Sequence, residues 1–153
     1  MIAVDASVSV KWVLPEEHSD RALALVSDAA RRRERIISTQ LFPIETNNTL
    51  RQRMRREGMS LDEARRLLGV ALAFGVTISP TTLAQQQQMH ERALVLADRF
   101  NLPAVYDAYY LALADFRRCP LWTDDRRLIQ AVGADGPALH WIGDYETTRL
   151  SES

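Results

Sequence analysis

The chain has 153 residues, 46% apolar and 25% charged, with a formal net charge of −1. That is enough for one compact domain with a sizeable core and leaves little room for two. The balance argues against a protein that holds nucleic acid by bulk charge. No apolar run approaches the roughly 18 residues of a membrane span, and Asp5 interrupts the place where a signal peptide would be apolar, so a cytoplasmic protein without a membrane partner is expected. Cys119 is the one cysteine, which rules out a disulfide within the chain and argues against a cysteine-based zinc site.

The first segment, IAV, is a short apolar run ending at Asp5 and reads as a buried strand. ASVSVKWVL then reads as a helix up to Pro15. A second helix is expected near EEHSD, with Ala22, Leu23, Leu25 and Val26 as its apolar stripe and the basic run 31–35 at its end. Residues 35–38 form another strand. Pro43 suits the first turn of a helix that stops at Gly58.

Ser60 with Glu63 three residues later is a capping box, which starts a helix running to Gly75. Val76 to Ile78 is a strand, and Thr81 or Thr82 caps a long helix to Phe100. Pro103 opens the helix AVYDAYYLALADFRR, and Pro120 ends it. Residues 121–123 make a strand reaching Asp124 and Asp125, RRLIQAV a short helix, and residues 138–142 a last strand. A single domain over residues 1–143 with a polar tail over 144–153 is expected. Short strands alternating with helices imply an α/β fold, a mostly parallel sheet flanked by helices on both faces.

In such sheets the ligand site lies beyond the carboxyl ends of the strands. Here those ends carry Asp5, Asp124 and Asp125, with Thr123 beside them, and no glycine-rich phosphate loop. Two more acids stand in apolar surroundings, Glu45 near a helix start and Asp107 within PAVYDAYYLALA. Each alone has an ordinary explanation: Asp5 and Asp107 as caps, Glu45 as a partner of a helix dipole. Four in one small domain point to a shared site, because gathered carboxylates repel and need protons or cations between them. Oxygen-only ligands select hard cations such as Mg²⁺ or Mn²⁺. His18, His90 and His140 have no ligand spacing and read as surface or strand residues, and Trp12, Trp122 and Trp141 as core.

The segments IAVDASVSVKWVLPEE, FPIETNNTLRQ, VYDAYYLALA and LWTDDRRLI, in that order, resemble a VapC-type toxin of the PIN-domain superfamily. The resemblance runs from end to end. It implies a PIN-like α/β fold and an endoribonuclease that blocks translation, as the toxin component of a toxin–antitoxin system. It implies catalytic and metal-ligating roles for Asp5, Glu45, Asp107 and Asp125, supported by Ser7, Thr123 and Asp124. The T-x-D spacing favours Asp125 as the inner ligand and leaves Asp124 as an outer one. It also implies a cognate antitoxin, a tRNA or rRNA substrate and a homodimer. Arg51, Arg55 and Arg126 are the expected RNA contacts, since arginine grips phosphate in a bidentate fork.

Other chemistries fit less well. A phosphotransferase with Asp5 as nucleophile wants an acid two residues on, where Ser7 stands. A receiver-like domain wants a late lysine, and Lys11 is the only lysine. A module that binds RNA without cutting it differs from the leading reading in showing no metal-dependent product.

Overall fold

The computed structural model describes residues 1–80 and 82–146. Among the described residues five strands form one sheet in the order β3-β2-β1-β4-β5. They are β1 (Ile2–Val4), β2 (Ile36–Ser38), β3 (Thr77–Ile78), β4 (Leu121–Thr123) and β5 (Leu139–Trp141). Every pairing is parallel. The central β1 is buried along its length, as its unbroken apolar run implies.

Among the described residues seven α-helices connect the strands: α1 (Ala6–Val10), α2 (Ser19–Arg31), α3 (Leu41–Glu57), α4 (Leu61–Leu72), α5 (Leu83–Arg99), α6 (Val105–Arg117) and α7 (Arg126–Val132). The chain steps outward from β1 to β2 to β3. The α5–α6 pair then carries it back across the sheet to β4, on the other side of β1. Right-handed crossovers in opposite directions put helices on both faces. The main core gathers Val4, Leu25, Phe42, Leu96, Leu111, Leu113 and Ile142 around the sheet. A smaller cluster of Val10, Leu14, Leu50, Ala64 and Leu67 joins α1, α3 and α4.

Capping side chains set four of the seven α-helix starts among the described residues. Ser60 accepts from the Glu63 N–H at 3.1 Å, and Thr82 accepts from the Gln85 N–H at 3.4 Å. Thr81, the other expected cap, lies outside the described residues. Gly58 closes α3 at φ +72°, in the left-handed region that glycine enters without cost.

Several boundaries differ from the sequence reading. The first helix ends at Val10, with turns rather than helix up to Pro15. The second begins at Ser19, inside the stretch EEHSD as expected, where Ser19 Oγ accepts from Glu16 N–H and donates to Leu14 O, closing a turn just before it. Its buried face is Ala22, Leu25 and Ala29, so Leu23, 43% exposed, leaves the expected stripe. The third starts at Leu41 and keeps Pro43 in its first turn as expected, whereas the sixth starts two residues after Pro103. The packed body continues past Gly143, since the Tyr145 hydroxyl donates to Asp28 at 2.8 Å. The last expected tail residues, 147–153, lie outside the described residues.

Candidate active site

The central strand β1 and its neighbour β4 lie side by side, yet the connections that follow them leave in opposite directions, toward β2 and toward β5. That divergence opens a crevice at their carboxyl ends, where open α/β sheets place their ligands. Asp5 follows β1 directly. Thr123 closes β4, and Asp124 and Asp125 come next. Two helices supply the other acids, Glu45 from the first turns of α3 and Asp107 from the first turn of α6.

Asp5 is 7% exposed. Its Oδ1 accepts from the Ser7 hydroxyl at 2.5 Å and from the Val8 N–H at 3.3 Å, and the Thr123 hydroxyl donates to its Oδ2. The same two hydroxyls accept backbone N–H groups beyond β4. Ser7 accepts from Asp124 at 2.8 Å, and Thr123 accepts from Asp125 at 3.0 Å. Asp5 is therefore the N-cap of α1 and also the knot tying β1 to β4. Burial raises its pKa from an ordinary 3.8 to about 6; the Ser7, Thr123 and Val8 hydrogen bonds pull it down and the Asp107 charge adds to the rise.

The other acids interact through their charges. Burial is the main cause raising the Glu45 pKa. The hydrogen bond from Tyr110 opposes it and the Asp107 charge adds to it. Burial and then the Asp125 charge raise Asp107. Asp125 is the N-cap of α7: its Oδ1 accepts from the Arg127 and Leu128 N–H groups at 2.8 and 3.2 Å. A hydroxyl–hydroxyl bond of 2.8 Å between Ser9 and Thr46 keys α1 to α3, fixing the helix that carries Glu45 against the one that Asp5 caps.

No group of three or more acids, histidines or cysteines among the described residues is close enough, as placed, to hold a metal ion. The donor chemistry nevertheless suits a hard dication. Asp5, Glu45, Asp107 and Asp125 offer only oxygen, three of them are raised by burial, and none forms an ion pair among the described residues.

Asp124 behaves differently. The Lys11 ammonium sits 2.8 Å from its Oδ2, and the Trp141 indole N–H donates to its Oδ1 at 3.3 Å. Arg126 lies with its guanidinium 3.7 Å from the Trp141 ring centroid, in a polar groove shared with Ser7, His18, Asp125 and Arg127. Trp141 thus stands in the wall of the groove and not in the core that the sequence reading gave it. The basic residues of α3 stand elsewhere. Arg51 lines a cleft between α3 and α4 with Leu50, Met54, Leu61 and Leu68, and Arg55 is exposed further along the same helix.

The sequence reading missed two residues of this region. Tyr110 donates its hydroxyl to Glu45 at 2.5 Å, and its spacing of three from Asp107 on one helix was the available signal. Lys11 is the other, a lone lysine inside an otherwise apolar helical stretch.

The model of the PIN domain family matches residues 2–134. Ribonuclease VapC3 of Pyrobaculum aerophilum is 32% identical over 138 residues, 87% of this chain and 95% of that protein. Two crystal structures share the fold. PAE2754 from Pyrobaculum aerophilum superimposes with a TM-score of 0.61 at 23% identity, over 92% of this chain and 88% of its own. VapC20 of Mycobacterium tuberculosis, described as a Sarcin-Ricin loop cleaving toxin, gives a TM-score of 0.58 at 19% identity, over 86% of this chain and 95% of its own. No described helix is long and apolar enough to cross a membrane.

Proposed function

The chain belongs to the PIN domain family, and from that premise we propose that it is a VapC-type ribonuclease, the toxin of a toxin–antitoxin pair, hydrolysing RNA phosphodiester bonds with the help of Mg²⁺ or Mn²⁺. The observation that carries this reading is the buried Asp5, held by two hydroxyls at the mouth of the β1–β4 crevice and coupled by charge to Asp107. The end-to-end relationship to a protein named a ribonuclease supports the reaction class.

Asp5, Asp107, Glu45 and Asp125 would hold the cation, whose presence lowers the pKa of coordinated water and offsets charge building on the phosphate. The protein supplies the frame. Ser7 and Thr123 fix both oxygens of Asp5. Tyr110 aims Glu45. The cap bonds of Asp125 engage only its Oδ1, and Oδ2 has no hydrogen-bond partner among the described residues. Arg126, Arg51 and Arg55 are the proposed contacts to RNA phosphate. Arg126 stands nearest the acids, since it shares its groove with Asp125. A tRNA or rRNA target, a cognate antitoxin and a homodimer complete the reading.

Incubating purified protein with total RNA, with Mn²⁺ or Mg²⁺ and then with EDTA, tests it. Metal-dependent products that vanish in the Asp5→Asn protein are expected. Intact RNA under every condition would leave a binding module in its place. Coexpression with a small reading frame directly upstream tests the antitoxin.

A further inference from the structure

Lys11 is a buried cation at the edge of an acidic crevice, 4% exposed. Its ammonium has three acceptors: Asp124 Oδ2 at 2.8 Å, the Glu17 carbonyl at 2.7 Å and Glu16 Oε2 at 3.4 Å. An ammonium has three N–H donors and keeps its charge in the interior only when they are matched. Lys11 occupies the C-cap position of α1, the helix that Asp5 opens, and reaches the turn after β4. It therefore spans the crevice between the two strands that supply Asp5 and Asp125.

Among Asp5, Glu45, Asp107, Asp124 and Asp125, only Asp124 is paired with a cation among the described residues. Both its oxygens are taken, one by Lys11 and the other by the Trp141 indole. Its neighbour Asp125 is oriented by backbone N–H groups alone, through one oxygen. The geometry points to Lys11 as a positioning residue: it neutralises Asp124, holds it out of the acid group, and so selects Asp125 over an identical side chain one residue away as the acid open to a divalent cation. This rests on the divalent-cation reading of the crevice.

Removing the ammonium returns an unpaired negative charge to the edge of the group. Lys11→Met should therefore bind Mn²⁺ more tightly, on the order of tenfold for one added charge at a partly solvated site, while RNA cleavage falls because the added acid competes for the ion. Lys11→Met combined with Asp124→Asn removes both charges, and the Mn²⁺ affinity should return to that of the parent.

The experiment is a Mn²⁺ titration of the full chain followed by electron paramagnetic resonance, for the parent, the single variant and the double variant. Tighter binding or an additional bound equivalent in Lys11→Met, cancelled in the double variant, supports the role; loss of a merely structural tie would not produce it. Parent-like binding in Lys11→Met, or a double variant that binds ten times more weakly than the parent, overturns it. Should Lys11→Met not fold, the double variant still decides, since neutral groups often replace a buried ion pair without loss. Parent-like Mn²⁺ affinity there supports the exclusion of Asp124, and weakened affinity makes Asp124 a ligand. A parent protein that binds no Mn²⁺ overturns the divalent-cation reading itself, and this role with it.

Discussion

The Tyr110 hydroxyl meets Glu45 Oε2 at 2.5 Å, across the boundary between α6 and α3. The helix that carries Asp107 thus also aims the acid of its neighbour, one turn further on. Burial and the neighbouring Glu45 charge hold the tyrosine protonated far above its usual range, so it acts as a permanent donor. Tyr110→Phe keeps the packing and removes the donor. Cleavage should fall about 10–100-fold, the usual cost of losing a group that orients a metal ligand. Folding stability should fall by only about 1 kcal/mol. Cleavage kinetics and a denaturant titration on one preparation check both.

Asp5→Asn should abolish cleavage and stabilise the metal-free protein at neutral pH. Asparagine caps a helix as well as aspartate does, while the buried charge disappears. The expected gain at pH 7 is about 1–3 kcal/mol, or roughly 3–10 °C in Tm for a chain of this size. Adding Mg²⁺ should raise the Tm of the parent and leave that of Asp5→Asn almost unchanged. A variant less stable than the parent in EDTA would contradict the assigned burial cost.

The same carboxyl sets a pH dependence of definite sign. Its folded-state pKa of about 6 lies above its ordinary 3.8. Between those values the unfolded chain has released the proton and the folded chain still holds it, so folding takes up a proton. Stability from this group is therefore greatest below about pH 4, declines as the pH rises, and reaches its full penalty above about pH 6. Glu45 and Asp107 are raised as well and act in the same direction. In EDTA the difference in unfolding free energy between Asp5→Asn and the parent should be small at pH 4 and large at pH 7. Urea titrations at the two pH values measure it.

Arg126→Ala should weaken RNA binding without changing the chemistry at saturation. Its guanidinium lies over Trp141 in the groove that runs to Asp125. Loss of one phosphate contact should raise KM about tenfold and lower the salt slope of binding by about one. Arg51→Ala, in the α3–α4 cleft, should change KM less. Salt-dependent binding curves with a non-cleavable RNA separate the two.

Much of the fold was legible because short strands alternate with helices, and the two strands at the site, β1 and β4, run into aspartates. Asp5 and the Thr123–Asp125 segment marked the carboxyl ends of β1 and β4 before any coordinates. The start of α6 was less legible: it falls two residues after Pro103, where Ala104 opens the helix without a side-chain cap bond. Leu23 misled because an apolar residue at the right spacing can still lie just beyond the buried arc. Within the candidate site, the acids drew notice through their apolar surroundings. Their partners Lys11 and Tyr110 did not: the spacing of Tyr110 from Asp107 hinted at a shared face, but its contact with Glu45 depends on how α6 and α3 cross.

Asp5 and Asp125 each begin a helix as well as a crevice wall. The first turns of α1 and α7 are therefore bolted to the proposed site, with no flexible arm between scaffold and acid. A lengthened loop far out on the sheet should leave the acids where they are, while a one-residue insertion after either aspartate would shift an acid and unwind its helix together. Drift in such a sequence should accordingly spare the spacing of these two turns long after the outer strands have diverged.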